Sequence, residues 1–321
     1  MTRRTTLTLS LVPVAGARFQ PTGFPNLGAA VFQRFDTDMK GWVESLHVES
    51  PQSMANRFEL TTWNTAEQRP VDDFAQIPYV EVVDGNGEFL TSSRLEAHRL
   101  ASAYVMEATL EGKKVEELLP ARLGLVSGRP LDYRTLARAI FDLDPLSLVH
   151  GVFFARGSWS SQPKIARAVT SFIDADDVQV APSGGVKTDS VDTRSAGKGG
   201  SGSSDAGYGM VPHLRTEYTA RSITAFVTVD HEQLRSYGLG EDRTALLEAI
   251  ISYELAHFFS EEGMRLRTAC DLKLTSRDDL PSPEQARADL AAAVAKLEGQ
   301  LAPRTTVAWT GASKAKAKDA S

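Results

Sequence analysis

The chain has 321 residues, 42% hydrophobic and 24% charged, which is enough to bury a sizeable core and excludes a fully disordered chain or a collagen. No stretch approaches the ~20 apolar residues of a membrane span. The net charge is −6; Arg304, Lys314, Lys316 and Lys318 against Asp319 leave residues 303–321 at +3 and the remainder at −9. That disfavours a generic basic nucleic-acid binder, so any polyanion would be held in a local groove.

Arg3 and Arg4 before an apolar run ending at Ala15-Gly16-Ala17 mimic a secretory signal. Thr8, Ser10 and Pro13 interrupt that run, and Leu7, Leu9 and Leu11 alternate with Thr6, Thr8 and Ser10, which predicts a half-buried strand. Residues 13–30, with Pro21, Gly23, Pro25 and Gly28, read as loop. Ile77–Val83 reads as a strand, followed by the turn Asp84-Gly85-Asn86-Gly87. Ser93 and Glu96 have capping-box spacing and predict a helix running to Glu111 and ending at Gly112. Leu131–Asp142 is a second expected helix, with Asp132 as its cap and Arg134 and Arg138 on its polar face. Leu146–Phe154 is an expected buried strand, and Pro163–Ile173 an expected helix.

Ser183–Gly209 is rich in glycine and serine and reads as a flexible excursion from the core. Ile223, Ala225, Val227 and Val229 then alternate as a strand. Leu246, Leu247, Ile250, Ile251, Leu255, Phe258 and Phe259 follow helical spacing, with Glu254 the one polar residue among them. From Met264 to Thr275 the pattern is again a strand, with Met264, Leu266, Cys270, Leu272 and Leu274 on one face. Arg265, Arg267, Asp271 and Lys273 take the other. Ser282-Pro283-Glu284-Gln285 opens a last helix ending near Leu301, and the tail after Pro303 is expected to be disordered. The strand and helix order suits an α+β sandwich with the helices on one sheet face.

Enzyme motifs are weak. Gly197-Lys198-Gly199-Gly200-Ser201-Gly202 matches G-x-G-x-x-G but lacks the preceding strand and following helix that a dinucleotide site needs. Ser161-Gln162-Pro163-Lys164 matches S-x-x-K, which would set a lysine one turn beneath a nucleophilic serine, but the companion motifs are absent. None of His47, His98, His150, His213, His231 and His257 forms an i, i+4 pair, so no metal constellation is predicted and no cofactor is expected. Cys270 is the single cysteine, which excludes an internal disulfide and suits a reducing compartment. Two features suggest a polyanion groove: the expected helix start with Ser92, Ser93, Arg94, His98 and Arg99, and the basic strand face with Arg265 and Arg267. The bland alternatives are an ordinary capped helix and a solvent-facing strand.

An ordered series of motifs carries more. It comprises Gln20-Pro21-Thr22-Gly23-Phe24-Pro25, Glu49-Ser50-Pro51-Gln52-Ser53-Met54-Ala55-Asn56-Arg57, and Ser92-Ser93 through Glu96-Ala97-His98-Arg99. Asp144-Pro145-Leu146 to His150-Gly151, Ser183-Gly184-Gly185-Val186-Lys187 and Gly209-Met210-Val211-Pro212 follow. Arg215-Thr216-Glu217-Tyr218-Thr219-Ala220 and Leu266-Arg267-Thr268-Ala269-Cys270-Asp271-Leu272 complete it. Over residues 6–275 the chain resembles the RAMP-superfamily backbone subunit of type I-G (formerly I-U) CRISPR surveillance complexes.

The resemblance implies a modified RRM, or ferredoxin-like, α+β core with large insertions. With it goes an expected domain over 1–302 that carries 183–209 as a flexible loop or thumb-like insertion; the tail over 303–321, expected from its residues to be disordered, lies outside the resemblance. It further implies a non-catalytic protein that coats the guide (CRISPR) RNA as copies of itself in a helical filament. The other implied partners are further subunits of the surveillance complex and, through the complex, target DNA, with no membrane and a cytoplasmic setting. The implied RNA contacts are Ser92, Ser93, Arg94, His98 and Arg99, then Gln52, Asn56 and Arg57, with Lys187 and Lys198 on the insertion; the strand pattern adds Arg265 and Arg267. Two other readings stay open: a RAMP endoribonuclease processing CRISPR transcripts, with His98 or His231 in acid–base work, and a serine hydrolase built on Ser161 and Lys164.

Overall fold

The computed structural model describes residues 2–23, 28–187 and 211–311. The first strand, β1 (Arg4–Pro13), buries Leu9 and Leu11 and turns Thr6, Thr8 and Ser10 outward, as the alternation predicts. After a loop anchored by the buried Phe19 come β2 (Ala30–Asp36) and β3 (Gly41–Glu49), an antiparallel hairpin. Helix α1 (Pro51–Leu60) starts on Ser50, whose side chain accepts from the Ser53 amide, and carries proline at its first position. Strands β4 (Val80–Val83) and β5 (Phe89–Ser92) form the hairpin expected around Asp84–Gly87.

The helix expected from Ser93 to Glu111 is not formed. Turns run through His98, followed by a 3-10 turn at Arg99–Ala101 and a single helical turn at Ala103–Met106. Tertiary partners have replaced the local cap. The Ser93 hydroxyl accepts from the Val80 amide at 3.2 Å, and Glu96 accepts from Thr91 Oγ1 at 2.8 Å and Ser102 Oγ at 2.7 Å. Arg99 sits at φ 52°, a left-handed conformation that no helix can pass through.

Helix α2 (Tyr133–Leu143) is capped by Asp132 as expected. Leu146–Phe154 is not one strand. It begins as the short helix α3 (Leu146–Val149), because the Asp144 carboxylate accepts from the Leu146 amide at 3.1 Å and from Ser147 Oγ at 3.3 Å. The chain then forms β6 (Val152–Phe153), paired with β7 (Lys164–Ile165). Pro163–Ile173, expected as a helix, is strand. After β7 the chain enters β8 (Val169–Asp176), where Val169, Ser171, Ile173 and Ala175 are buried in strict alternation. The Ser161–Lys164 one-turn geometry of a serine hydrolase is therefore absent.

Strands β9 (Gln179–Lys187) and β10 (Val211–Thr219) pair in register as a two-stranded ribbon. The flexible excursion expected from Ser183 thus begins as regular strand. Its centre, including Lys198, lies outside the described residues, and Lys187 is the last residue of β9. Strand β11 (Ser222–Asp230) and helix α4 (Glu241–Phe258) fall where expected. Met264–Thr275 is a hairpin, β12 (Met264–Arg267) and β13 (Cys270–Leu274), not one strand; its burial alternation is the predicted one. Helix α5 (Pro283–Lys296) is capped by Ser282. Contrary to the expected disordered tail, β14 (Thr305–Ala308) pairs parallel with β4. Residues 312–321 lie outside the described residues.

The large sheet has the order β12-β13-β1-β11-β8-β3-β2. Its four central strands, β13-β1-β11-β8, are mutually antiparallel. In chain order that is 4-1-3-2, the ferredoxin-like arrangement expected of an RRM-type core. Two hairpin partners extend it: β12 beyond β13, and the β2–β3 pair beyond β8. Helix α1 packs on the sheet at β8, α4 packs against α1, and α3 and α5 lean on α4. The other face presents Thr6, Thr8, Ser10, Thr170, Phe172, Thr224, Phe226 and Thr228. The fold is α+β. Among the described residues no helix is long and apolar enough to cross a membrane.

Candidate nucleic-acid interface

Three segments far apart in sequence meet at the start of α1. Glu49 ends β3 and is buried, which forces its carboxylate to find donors. Oε1 accepts from Thr22 Oγ1 at 2.8 Å and the Ser50 amide at 3.0 Å, while Oε2 accepts from Arg57 Nε at 2.8 Å. Arg57 Nη2 also donates to the Leu266 carbonyl at 2.7 Å, tying α1 to β12. The loop before β2 closes the third side. The Gln20 amide donates to the Ala269 carbonyl at 2.7 Å, and Arg267 Nη1 donates to the Pro21 carbonyl at 2.9 Å.

Gln52, Asn56, Arg57 and Arg267 are therefore brought together, with exposed Arg265 on the same strand as Arg267. Gln52 Nε2 donates to Asn56 Oδ1 at 3.4 Å. Sequence reasoning missed Arg167, whose guanidinium donates to Gln52 Oε1. The missed signal was the Val169–Ala175 alternation, which marks residues just before it as the approach to a strand. Burial and the neighbouring Arg99 hold the Arg167 guanidinium below its ordinary range, and its buried Nε has no partner. An anion arriving there would relieve both strains. In a chain of net charge −6, Arg167, Arg265 and Arg267, with Arg57 paired to Glu49, make a local cationic surface around a half-buried helix start.

The other predicted cluster lies elsewhere. Ser92, Ser93, Arg94 and Arg99 are buried, and only His98 is exposed. Arg94, at 2% exposure, donates from Nη2 to the Ile77 carbonyl at 2.9 Å and the Pro78 carbonyl at 3.3 Å. Its guanidinium stands 5.4 Å from the Phe74 ring centre and 5.1 Å from that of Tyr79. Arg99 forms a two-bond pair with Glu59 and donates from Nη1 to the Gly151 carbonyl at 3.2 Å. His150 Nε2 lies 2.9 Å from each Glu254 carboxylate oxygen. With Asp144, these residues form an interior polar layer joining α1, α3, α4 and the segment after β5.

Burial pushes the Glu59 and Asp144 carboxyls up, and Glu254 furthest; it pushes His150 down to about 4. The layer sets the Arg94 and Arg99 guanidinium groups against the Glu59, Asp144 and Glu254 carboxyls and the His150 imidazole, away from water. The expected solvated basic helix face at Arg94 and Arg99 is thus corrected. Both guanidinium groups face inward because carboxylates and carbonyls from distant segments claim them. His231, the other acid–base candidate, lies 2.9 Å from Thr5 Oγ1 and 3.2 Å from Glu248 Oε1. Among the described residues no group of three or more His, Cys, Asp or Glu is placed to hold a metal ion.

An antiparallel 4-1-3-2 sheet, helices on one face and a local cationic surface define an RRM-type α+β protein with a candidate polyanion site. The chain belongs to the family described as CRISPR-associated protein GSU0053, which matches residues 6–180. That bears out the resemblance to CRISPR-associated RAMP-type backbone subunits. No curated protein matches it. A chain of the solved structure described as "CRISPR RNA-guided surveillance complex, pre-nicking" is similar at 9% identity, over 96% of this chain and 95% of that chain, with a TM-score of 0.36.

Proposed function

We propose that this protein is a non-catalytic backbone subunit of a CRISPR surveillance complex that grips the guide RNA and repeats along it. The convergence of the Gln20–Gly23 loop, the start of α1 and the β12–β13 turn around Glu49 carries this reading. It sets Arg57, Arg167, Arg265 and Arg267 around the start of α1 on an otherwise acidic body, and phosphates suit such a cluster of guanidinium groups. Copies of the chain would then line up because each holds the next stretch of one RNA. Other subunits of the complex and target DNA would meet the protein through that filament, in the cytoplasm.

Co-expression with a CRISPR array followed by native mass spectrometry tests this. The expected product is RNA of discrete length carrying several copies of the chain. Free monomer without RNA would overturn the reading. Specific cleavage of repeat RNA by the purified chain would instead favour an endoribonuclease.

A further inference from the structure

We infer that Phe153 is a stacking seat for one unpaired base of single-stranded RNA, with Lys164 and Arg167 placed for the adjoining phosphates; this rests on the RNA-binding reading above. Val152 and Phe154 are buried at 5% and 1% exposure, whereas Phe153 between them is 48% exposed. The β6 alternation therefore turns one aromatic ring outward. Its cross-strand partner is Lys164, whose ammonium stands 5.9 Å from the ring centre.

The chain leads from the ring back to the cationic surface at α1. A Cβ at Gly151 would stand 2.9 Å from the Ile165 carbonyl and 3.1 Å from the Arg167 amide, so the start of β6 is pressed against Arg167. Phe153 lies two residues along that strand, ~7 Å at ordinary strand rise. Arg167 in turn holds Gln52 on the exposed side of α1. Lys164 and Arg167 pair with no carboxylate among the described residues. An apolar protein segment would gain little from one ring between two cations. A nucleotide brings a flat π face for the ring and an anion for each flank, which matches the charge.

The test uses the full-length protein and a mixed-sequence single-stranded RNA, with affinity measured across a salt series. Phe153→Leu should weaken binding about 5- to 140-fold, the usual range for losing one stacked base, with the salt slope unchanged. Phe153→Tyr should stay within about 2-fold of wild type. Lys164→Gln should lower the salt slope by about 0.7, one phosphate contact. Ultraviolet crosslinking should map to Phe153. The inference is overturned if Phe153→Leu binds like wild type, or if Phe153→Tyr loses as much as Phe153→Leu. It is also overturned if Phe153→Leu changes only RNA-free self-association, which would make the ring a protein contact. Wild-type protein that binds no RNA would sink the RNA-binding reading itself, a distinct failure.

Discussion

Arg99 holds Glu59 across 40 residues of chain by two hydrogen bonds, Nε to Oε1 at 2.6 Å and Nη2 to Oε2 at 2.7 Å, with both side chains almost fully enclosed. The pair fastens α1 to the segment after β5 and keeps Arg99 at φ 52°, a conformation costing roughly 1 kcal/mol or more for a bulky residue.

Arg99→Ala should lower stability by about 3–5 kcal/mol, because Glu59 would be left buried and unpaired. The double variant Arg99→Met with Glu59→Leu should recover much of that loss, since both charges leave together. Urea unfolding of the two single variants and the double variant measures it. A single Arg99→Ala loss below about 1 kcal/mol would show that water reaches Glu59.

The His150–Glu254 pair gives stability two opposing pH dependences. Arg94, Arg99 and Arg167 face it with Glu59 and Asp144, and burial dominates both shifts. Between pH 6.5 and about 4 the unfolded chain protonates His150 while the folded protein does not, so stability falls with falling pH. Above about pH 4.5 the unfolded chain ionises Glu254 while the folded protein keeps its proton, so stability falls with rising pH. Relative to wild type, His150→Gln should therefore gain as pH drops below 6.5, and Glu254→Gln should gain as pH rises above 4.5. Denaturation midpoints between pH 4 and 8 test both signs; differences constant with pH would contradict them.

Gly151 occupies a position that only glycine fits. Its φ is 81°, and an added Cβ would press on the Ile165 carbonyl and the Arg167 amide. Gly151→Ala should cost about 2 kcal/mol or more and shift Arg167 away from Gln52. Thermal unfolding reports the first effect and weakened RNA retention the second. A neutral substitution would mean that the β6–β7 ribbon yields easily.

Cys270 faces the core from β13 and is fully buried, and burial pushes its thiol up to about 12. A thiol reagent should label the native protein very slowly and the unfolded protein quickly. Cys270→Ala should lower stability by about 1 kcal/mol and leave RNA binding unchanged. Rapid native labelling would place the thiol at the surface.

Much of the fold was legible because its strands and caps are local devices. Strands β1, β11 and β13 announce themselves by alternation, and α2 and α5 by Asp132 and Ser282 at their starts. Glu254 stood out as a lone carboxylate in an apolar helix, but nothing in the sequence indicated His150 as its partner. The Ser93 capping box was misleading because Ser93 and Glu96 had other donors to serve once the chain was folded.

By itself, the sequence determined the strand faces, the capped helices, the acidic balance and the family, since each is written in spacing or in ordered motifs. The tertiary structure alone decided which arginines face solvent. Arg94 and Arg99 look no different in sequence from Arg57 and Arg267. The first two are drawn inward, where the Glu59 carboxylate and the Ile77 and Pro78 carbonyls offset their desolvation. Arg57 and Arg267 are anchored near the surface by Glu49 and the Pro21 carbonyl. Those partners come from distant segments, and hydrophobic periodicity reports which side of an element is buried, not which charge will be waiting there.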